Sequence, residues 1–163
     1  MTTINKENKE VIEAELKEGG FVCCGCGKYV EFSDAIGTKH RNHCPSCLSS
    51  KHLDKEFSGD RAAMCGGCMS VVGLTFKQEG VDKYGKAKKG ELMIVHKCAA
   101  CGSISINRLA ADDDERAILG AFVNSVSMAD ADREFFLNEG IRILKEEDKR
   151  EVYIQLFGKG GYF

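Results

Sequence analysis

The nine residues Lys39–Cys47, with the sequence KHRNHCPSC, contain two cations, two imidazoles and one amide directly before a Cys-x-x-Cys pair. The segment also holds the only proline of the chain. Two cysteines at this spacing can bind one metal ion from a single turn. The segment therefore predicts a metal site that shares its turn with a surface for recognition or catalysis.

The pair 44/47 is one of four Cys-x-x-Cys pairs, and the others are 23/26, 65/68 and 98/101. Buried packing gives no reason to repeat this spacing four times, so the pairs indicate metal-bound thiolates. The residues between pairs one and two, and between pairs three and four, read as strand, turn and strand. A hairpin brings its ends together, so we expect two zinc ribbons with sequential pairing. Interleaved pairing is the alternative that spacing leaves open.

The predicted sites hold two Zn²⁺ ions, each bound by four protein thiolates that leave no open position for water or substrate. Both sites are therefore predicted to be structural. Iron is the alternative metal, because CPSC at 44–47 is similar to a rubredoxin knuckle. The predicted ligands are Cys23, Cys26, Cys44, Cys47, Cys65, Cys68, Cys98 and Cys101.

The cellular setting is predicted from the cysteines and from hydropathy. No apolar run among the 163 residues reaches the length of a membrane span, and residues 1–20 are polar and acidic rather than an apolar signal core. We expect a cytoplasmic protein with no membrane partner, in which reduced thiols favour metal over disulfides. The ninth cysteine, Cys24, is then expected to pack in the interior or to remain a spare thiol.

The charge distribution is uneven. Residues 21–110 carry 13 Lys and Arg against 8 Asp and Glu, a formal +5, whereas the flanks total −7. Four thiolates around one Zn²⁺ leave a charge of −2, so two such sites would reduce +5 to about +1. The basic centre is therefore a weak signal for nucleic acid, and only the placement of its cations could strengthen it.

The fold class predicted is α+β, in three parts. Residues 1–20 form an N-terminal helix or tail, residues 21–111 a double zinc-ribbon domain, and residues 112–163 a helical extension. Strands are expected near 29–32, 71–77, 91–96 and 103–109, with a loop at 78–90. In the extension, one helix runs from Asp112–Asp114 to Val126, a second continues to about Asp148, and VYIQLF at 152–157 alternates like a final short strand.

The motifs together resemble the RNHCP-domain family, over about residues 20–115. The resemblance is carried by CxxCG at 23–27, RNHCPSCLSSKHLD at 41–54, GDRAAMCGG at 59–67, HKCAACG at 96–102 and NRLAADD at 107–113. The family is similar to zinc-ribbon proteins, so the resemblance implies a zinc-binding domain more firmly than it implies a function.

One segment departs from the family pattern, which usually reads C-G-G-x-M where this chain has Cys65 to Met69. Cys68 completes a full pair here. In relatives without it, the histidine that matches His96 could be the fourth ligand of the second site. Cys68 and His96 are therefore alternatives, and the spacing favours Cys68.

Polar residues near the ribbons are candidates for nucleic-acid contacts, because loops on ribbons often reach phosphates and base edges. The alternative for Asn42 and His43 is that they bond the thiolates or the backbone around the zinc. The candidate nucleic-acid-binding residues are Arg41, Asn42, His43, Arg61, Lys86, Lys88, Lys89, Asn107 and Arg108.

The function predicted is a non-enzymatic structural-zinc module that binds RNA or a ribonucleoprotein, with ribosome association as one form of it. A metal-dependent nuclease or other hydrolase is the alternative, and a protein-interaction scaffold that docks a partner through the C-terminal helices is a third. No catalytic residue is assigned, because the histidine and aspartate spacing matches no signature. The hydrolase would use His40, His43, His52, Asp54 and Asp60.

Overall fold

The computed structural model describes residues 19–31, 43–52 and 65–158. In these ranges the strands are β1 (Gly20–Val22), β2 (Tyr29–Glu31), β3 (Ser50–Lys51), β4 (Cys68–Val81), β5 (Ala87–Cys98) and β6 (Ile104–Arg108). The helices are α1 (Glu115–Val126), α2 (Asp130–Asn138) and α3 (Lys149–Phe157), with a 3-10 turn at Glu146–Asp148. The chain is thus a mixed α+β protein, and the predicted N-terminal helix lies outside the described residues.

The strands form two antiparallel sheets. β1 and β2 pair with each other, and the second sheet has the order β3-β4-β5-β6. The β4–β5 hairpin is longer than predicted, because pairing continues through Gln78 with Lys89 and Val81 with Ala87. The loop predicted at 78–90 was therefore wrong for most of its length. The turn itself is held by the Asp82 carboxylate, which accepts hydrogen bonds from the backbone N–H of Tyr84 and Lys86.

The larger sheet carries an apolar cluster that joins it to the C-terminal helices. Alternate residues of β4 and β5 supply one part, including Leu74 opposite Ile94 and Phe76 opposite Leu92. These side chains pack with helical residues whose apolar positions recur at the spacing of one helix face. The helical members of the cluster are Ile118, Ala121, Phe122 and Val152, with Leu144 from the preceding extended segment.

A second apolar cluster is centred on Val95, with Phe136 of α2 and Ile141 and Ile143 of the segment that follows it. Arg133 of α2 ties this region to α1, because its guanidinium donates to four backbone carbonyl groups. These acceptors are Ser125, Val126, Ile143 and Leu144. The bonds satisfy carbonyl groups at the C-terminal end of α1, which have no partner within the helix.

Two features predicted for the C-terminal part are corrected. The second helix ends at Asn138, not near Asp148, because Gly140 takes a left-handed backbone (φ +83°) and the chain then extends. The predicted final strand at 152–157 is helix α3. Its Gln155 accepts a hydrogen bond from Leu92 N–H and donates to the Gly90 carbonyl, so the helix caps backbone groups of β5 instead of adding a strand.

Within the described ranges, no helix is both long enough and apolar enough to cross a membrane.

Candidate metal centres

The first candidate centre joins the two N-terminal Cys-x-x-Cys pairs. Cys23 and Cys26 follow β1, and Cys44 and Cys47 precede β3. The Sγ atoms of Cys23 and Cys47 are 3.5 Å apart, and those of Cys26 and Cys44 are 3.7 Å apart. All four sulfur atoms lie within 4.8 Å of one another. The structure therefore brings these two pairs together in the sequential arrangement.

Each of these pairs is shaped by the same turn. The Gly27 N–H bonds the Cys23 carbonyl at 3.0 Å, and the Leu48 N–H bonds the Cys44 carbonyl at 2.8 Å. The turn ends in a left-handed residue, Gly27 at φ +76° and Leu48 at φ +66°. Leucine reaches this region only at a steric cost, so its surroundings must hold it there. Its side chain is 1% exposed in the apolar cluster under α1.

The second candidate centre consists of His52, Cys65, Cys98 and Cys101, whose ligand atoms also lie within 4.8 Å of one another. The Cys65 and Cys98 Sγ atoms are 3.7 Å apart, and Cys101 Sγ is 3.3 Å from His52 Nδ1. His52 follows β3, and Cys98 ends β5. The pairing of the larger sheet thus places both residues at one end of the sheet.

Gly67 shows how closely this cluster is built. A Cβ atom at this position would lie 2.8 Å from Cys98 Sγ and 3.2 Å from Cys65 Sγ. Both distances are shorter than ordinary van der Waals contacts, so only a glycine lets the backbone approach the two sulfur atoms.

The thiols of each cluster differ in acidity. Burial raises the pKa of Cys23 to about 12 and that of Cys65 to about 11. Burial also acts against ionisation of Cys47 and Cys101, but hydrogen bonds outweigh it there and lower the pKa values to about 7 and about 6. Those bonds come from Ser49 or Ser103 and from neighbouring thiols of the same cluster. Each cluster therefore already favours one thiolate, the form that binds a metal.

The two donor sets suit a borderline-soft cation in tetrahedral coordination. One offers four sulfur atoms, and the other offers three sulfur atoms and one imidazole nitrogen. Both sets are common in structural zinc sites, and both satisfy a four-coordinate ion without an open position. The two clusters could therefore hold two metal ions.

Two sequence-based assignments differ from the structure. Cys68 was predicted as the fourth ligand of the second centre, but His52 lies there instead. Residues 65–68 do not repeat the cysteine turn, because Gly66 and Gly67 exchange backbone hydrogen bonds with His52 and the strand β4 begins at Cys68. Cys68 forms a disulfide with Cys24, which was expected to be unpaired.

His96, the predicted alternative to Cys68, is buried in the sheet and belongs to neither candidate cluster. Its Nε2 atom lies 2.6 Å from the Leu48 carbonyl oxygen, and its Nδ1 atom lies 2.8 Å from the side-chain nitrogen of Asn107. Burial lowers the pKa of His96 to about 4. The imidazole is therefore neutral at pH 7, and it supports the left-handed Leu48 instead of binding a metal.

His43 is also buried, at 3% exposure, and its partner is Asp113. The Nε2 atom of His43 lies 2.9 Å from both carboxylate oxygens, and one of these oxygens accepts a further bond from Ala110 N–H. The neighbouring Asp114 N–H bonds the Pro45 carbonyl at 2.8 Å. Residues 43–45 and 110–114, distant in sequence, therefore meet here, and the His43 imidazole is directed at Asp113 rather than at solvent.

The other candidate nucleic-acid residues are dispersed. Lys86 is exposed in the β4–β5 turn, Asn107 bonds His96, and Arg108 pairs with Glu91 at 3.2 Å. Lys88 and Lys89 belong to β5, but their side chains are not among the groups that the structure describes. Arg41, Asn42 and Arg61 lie outside the described residues, as do His40, Asp54 and Asp60 of the hydrolase hypothesis.

His52 is a candidate ligand that the cysteine spacing did not predict. It stands five residues after Cys47, and the signal that could have found it is a histidine close to a cysteine pair. Sequence alone could not show that β3 pairs with β4.

A comparison with protein-family models finds one described as the RNHCP domain, which matches residues 18–119, more than half of the chain. Neither the curated proteins nor the solved structures contain a match to the chain.

Proposed function

The chain belongs to the RNHCP domain family, and we propose that it is a non-enzymatic module built on two structural zinc ions. The observation that carries this proposal is the pair of four-ligand clusters, each complete with protein donors alone. A site with four protein ligands has no position at which a water or substrate could bind the metal. The first centre best fits a zinc ribbon, because the turn at Cys23–Cys26 joins the antiparallel strands β1 and β2, and the turn at Cys44–Cys47 lies inside an antiparallel bridge between His43 and Ser50.

Metal analysis of the purified protein tests this proposal. We expect two zinc ions per chain by mass spectrometry, and a colourless protein. After cobalt substitution, the S₄ and S₃N sites should give separable absorption bands, since the ligand set determines the spectrum. A protein that binds no zinc, or a coloured protein that contains iron, would contradict the proposal.

We further propose that the module binds RNA through the tip of the β4–β5 hairpin. Tyr84 at this tip is 77% exposed, and the Lys83 ammonium lies 5.0 Å from its ring centroid. Lys86 is exposed in the same turn. An accessible aromatic ring beside cations is what single-stranded RNA uses for base stacking and phosphate contact. Two bound zinc ions would stabilise the sheet that carries this hairpin.

Fluorescence anisotropy with a labelled single-stranded RNA tests the tip. Tyr84→Ala should weaken binding by roughly five- to 150-fold, because stacking contributes about 1–3 kcal/mol per base. Tyr29→Ala is the matched control, since Tyr29 is 53% exposed on β2 and far along the chain from the tip. A Lys83→Gln/Lys86→Gln variant should reduce the salt dependence of binding. Equal losses in the Tyr84 and Tyr29 variants would refute this location.

A protein partner on the C-terminal helices is the second candidate, and it rests on Val123 and Leu137, which are 62% and 61% exposed. A Val123→Glu variant that loses a partner recovered with the native protein, while retaining RNA binding, would support it. Either proposal places the chain in a reducing compartment such as the cytoplasm, because seven candidate ligand thiols must stay reduced to bind metal.

A further inference from the structure

The disulfide between Cys24 and Cys68 lies between the two candidate metal centres and belongs to neither. The nine cysteines divide completely: four in the first cluster, three in the second, and these two bonded to each other. Because His52 completes the second cluster, neither Cys24 nor Cys68 is needed as a ligand. Both sulfur atoms are therefore available for thiol–disulfide chemistry.

The pair can be reached from solvent. Cys24 is exposed in the turn between Cys23 and Cys26, and Cys68 is half-buried at the start of β4. Structural disulfides are rare in reducing compartments, where the disulfides that do form are usually transient and act in redox sensing. An accessible cysteine with a second cysteine beside it is also the usual arrangement of a thiol that reacts and a thiol that resolves the product.

The position of the bond gives it a structural consequence. It joins the turn after β1 to the first residue of β4, and so connects the smaller sheet to the larger one. The smaller sheet otherwise has a small core, in which Phe21 and Val30 pack with the ligand thiols Cys23 and Cys44. Loss of the first metal would leave two buried thiols as half of that core, so a covalent link at Cys24 would hold the turn in place.

We propose that Cys24 and Cys68 form a reversible redox site that reacts with low-molecular-weight disulfides and, when oxidised, retains the metal of the first centre. The part of this inference that concerns metal retention rests on the zinc sites proposed above. The redox chemistry at the two cysteines does not depend on them.

The reaction balances as two exchanges. The Cys24 thiolate attacks one sulfur of a disulfide R–S–S–R, forming Cys24–S–S–R and releasing one R–S⁻. The Cys68 thiolate then attacks the Cys24 sulfur, which forms the Cys24–Cys68 bond and releases the second R–S⁻. The two protons lost by the cysteines are taken up by the two released thiolates. Two electrons pass from the protein to the small disulfide, and excess small thiol reverses the reaction.

Alkylation of the zinc-loaded full chain in glutathione buffers tests the redox site. We expect two alkylated cysteines under reducing conditions, Cys24 and Cys68, and none after oxidation, when peptide mapping should recover the Cys24–Cys68 link. Cys24→Ser and Cys68→Ser should each abolish the link. The inference is overturned if reduced, zinc-loaded protein shields Cys68 from alkylation as a ligand would be shielded, or if oxidation links ligand cysteines instead.

The rate of zinc release to a chelator tests whether the disulfide retains the metal of the first centre. Oxidised protein should release the first zinc about tenfold more slowly than reduced protein, because the tether keeps the released turn near its partner ligands. Cys24→Ser should release it at the reduced rate in either buffer. Equal rates in the native oxidised and reduced forms would overturn the retention claim. If the purified chain binds no zinc but still forms the Cys24–Cys68 link, the zinc proposal is refuted and the redox proposal is not.

Discussion

Asp113→Ala should destabilise the protein strongly although Asp113 touches neither metal cluster. The side chain of Asp113 is fully buried and interacts with His43 at 2.9 Å and with Ala110 N–H at 2.7 Å. Removing the carboxylate deletes both interactions and leaves two buried donors without that acceptor. Each unsatisfied buried group costs about 1–3 kcal/mol, so two of them should lower the free energy of unfolding by about 2–6 kcal/mol.

Urea denaturation of the zinc-loaded protein, followed by circular dichroism, measures this loss. For a protein of this size the loss corresponds to a fall of roughly 10 °C in the melting temperature. Asp114→Ala is the matched control. Asp114 caps α1 by accepting hydrogen bonds from Arg116 and Ala117 N–H, and loss of such a cap costs about 1 kcal/mol.

The zinc content of Asp113→Ala should remain two per chain in the folded protein, because the contact fixes a segment rather than a ligand. A double-mutant cycle with His43→Ala should show coupling above about 0.5 kcal/mol, as expected for residues in contact. If Asp113→Ala is no more destabilised than Asp114→Ala, the reasoning about this buried contact is wrong.

Three further predictions concern the metal centres and the buried histidine. His52→Ala should reduce the zinc content from two to one per chain, whereas Cys68→Ser and His96→Gln should both retain two. If only Cys68→Ser loses zinc, Cys68 is the ligand, as the cysteine spacing predicts. Gly67→Ala should weaken zinc binding at the second centre, measured by chelator competition, because its Cβ would lie 2.8 Å from a ligand sulfur. The pKa of His96 is lowered to about 4, so the unfolded chain binds more protons between about pH 6.5 and pH 4, and stability falls as the pH falls through that window. At pH 5.5 the loss relative to pH 7.5 should be about 1–2 kcal/mol greater in the native protein than in His96→Gln, and equal losses would contradict the assignment.

Features that depend on local sequence could be predicted. The first thiol cluster follows from two cysteine pairs that flank a short segment, and the left-handed Gly27 follows from the turn after the first pair. The acidic run at 112–114 predicted the start of α1, where Asp114 caps the helix. In each case the interacting groups are close in the chain, so their spacing carries the information.

The end of the second helix could not be predicted from local sequence. Residues 139–148 contain enough helix formers to continue α2, but Gly140 takes a left-handed backbone, and Ile141 and Ile143 pack in the cluster around Val95. Leu144 N–H bonds the Leu74 carbonyl of β4, and Thr75 donates its hydroxyl hydrogen to the Arg142 carbonyl. Bonds to the sheet therefore replace helical bonds, a tertiary effect that helix propensity does not contain.

The second candidate metal centre depends on strand pairing, which cysteine spacing does not contain. Lys51 lies opposite Cys68 in the β3–β4 pair, and this register puts His52 beside Gly66 and Gly67. The backbone hydrogen bonds between His52 and the two glycines position the imidazole beside Cys101. They also align the chain so that strand β4 begins at Cys68. Residues 65–68 could form a cysteine turn only by giving up this pairing. The register of the two-residue strand β3 thus determines which side chain lies at the fourth candidate ligand position, and a metal bound at this centre would stabilise that register.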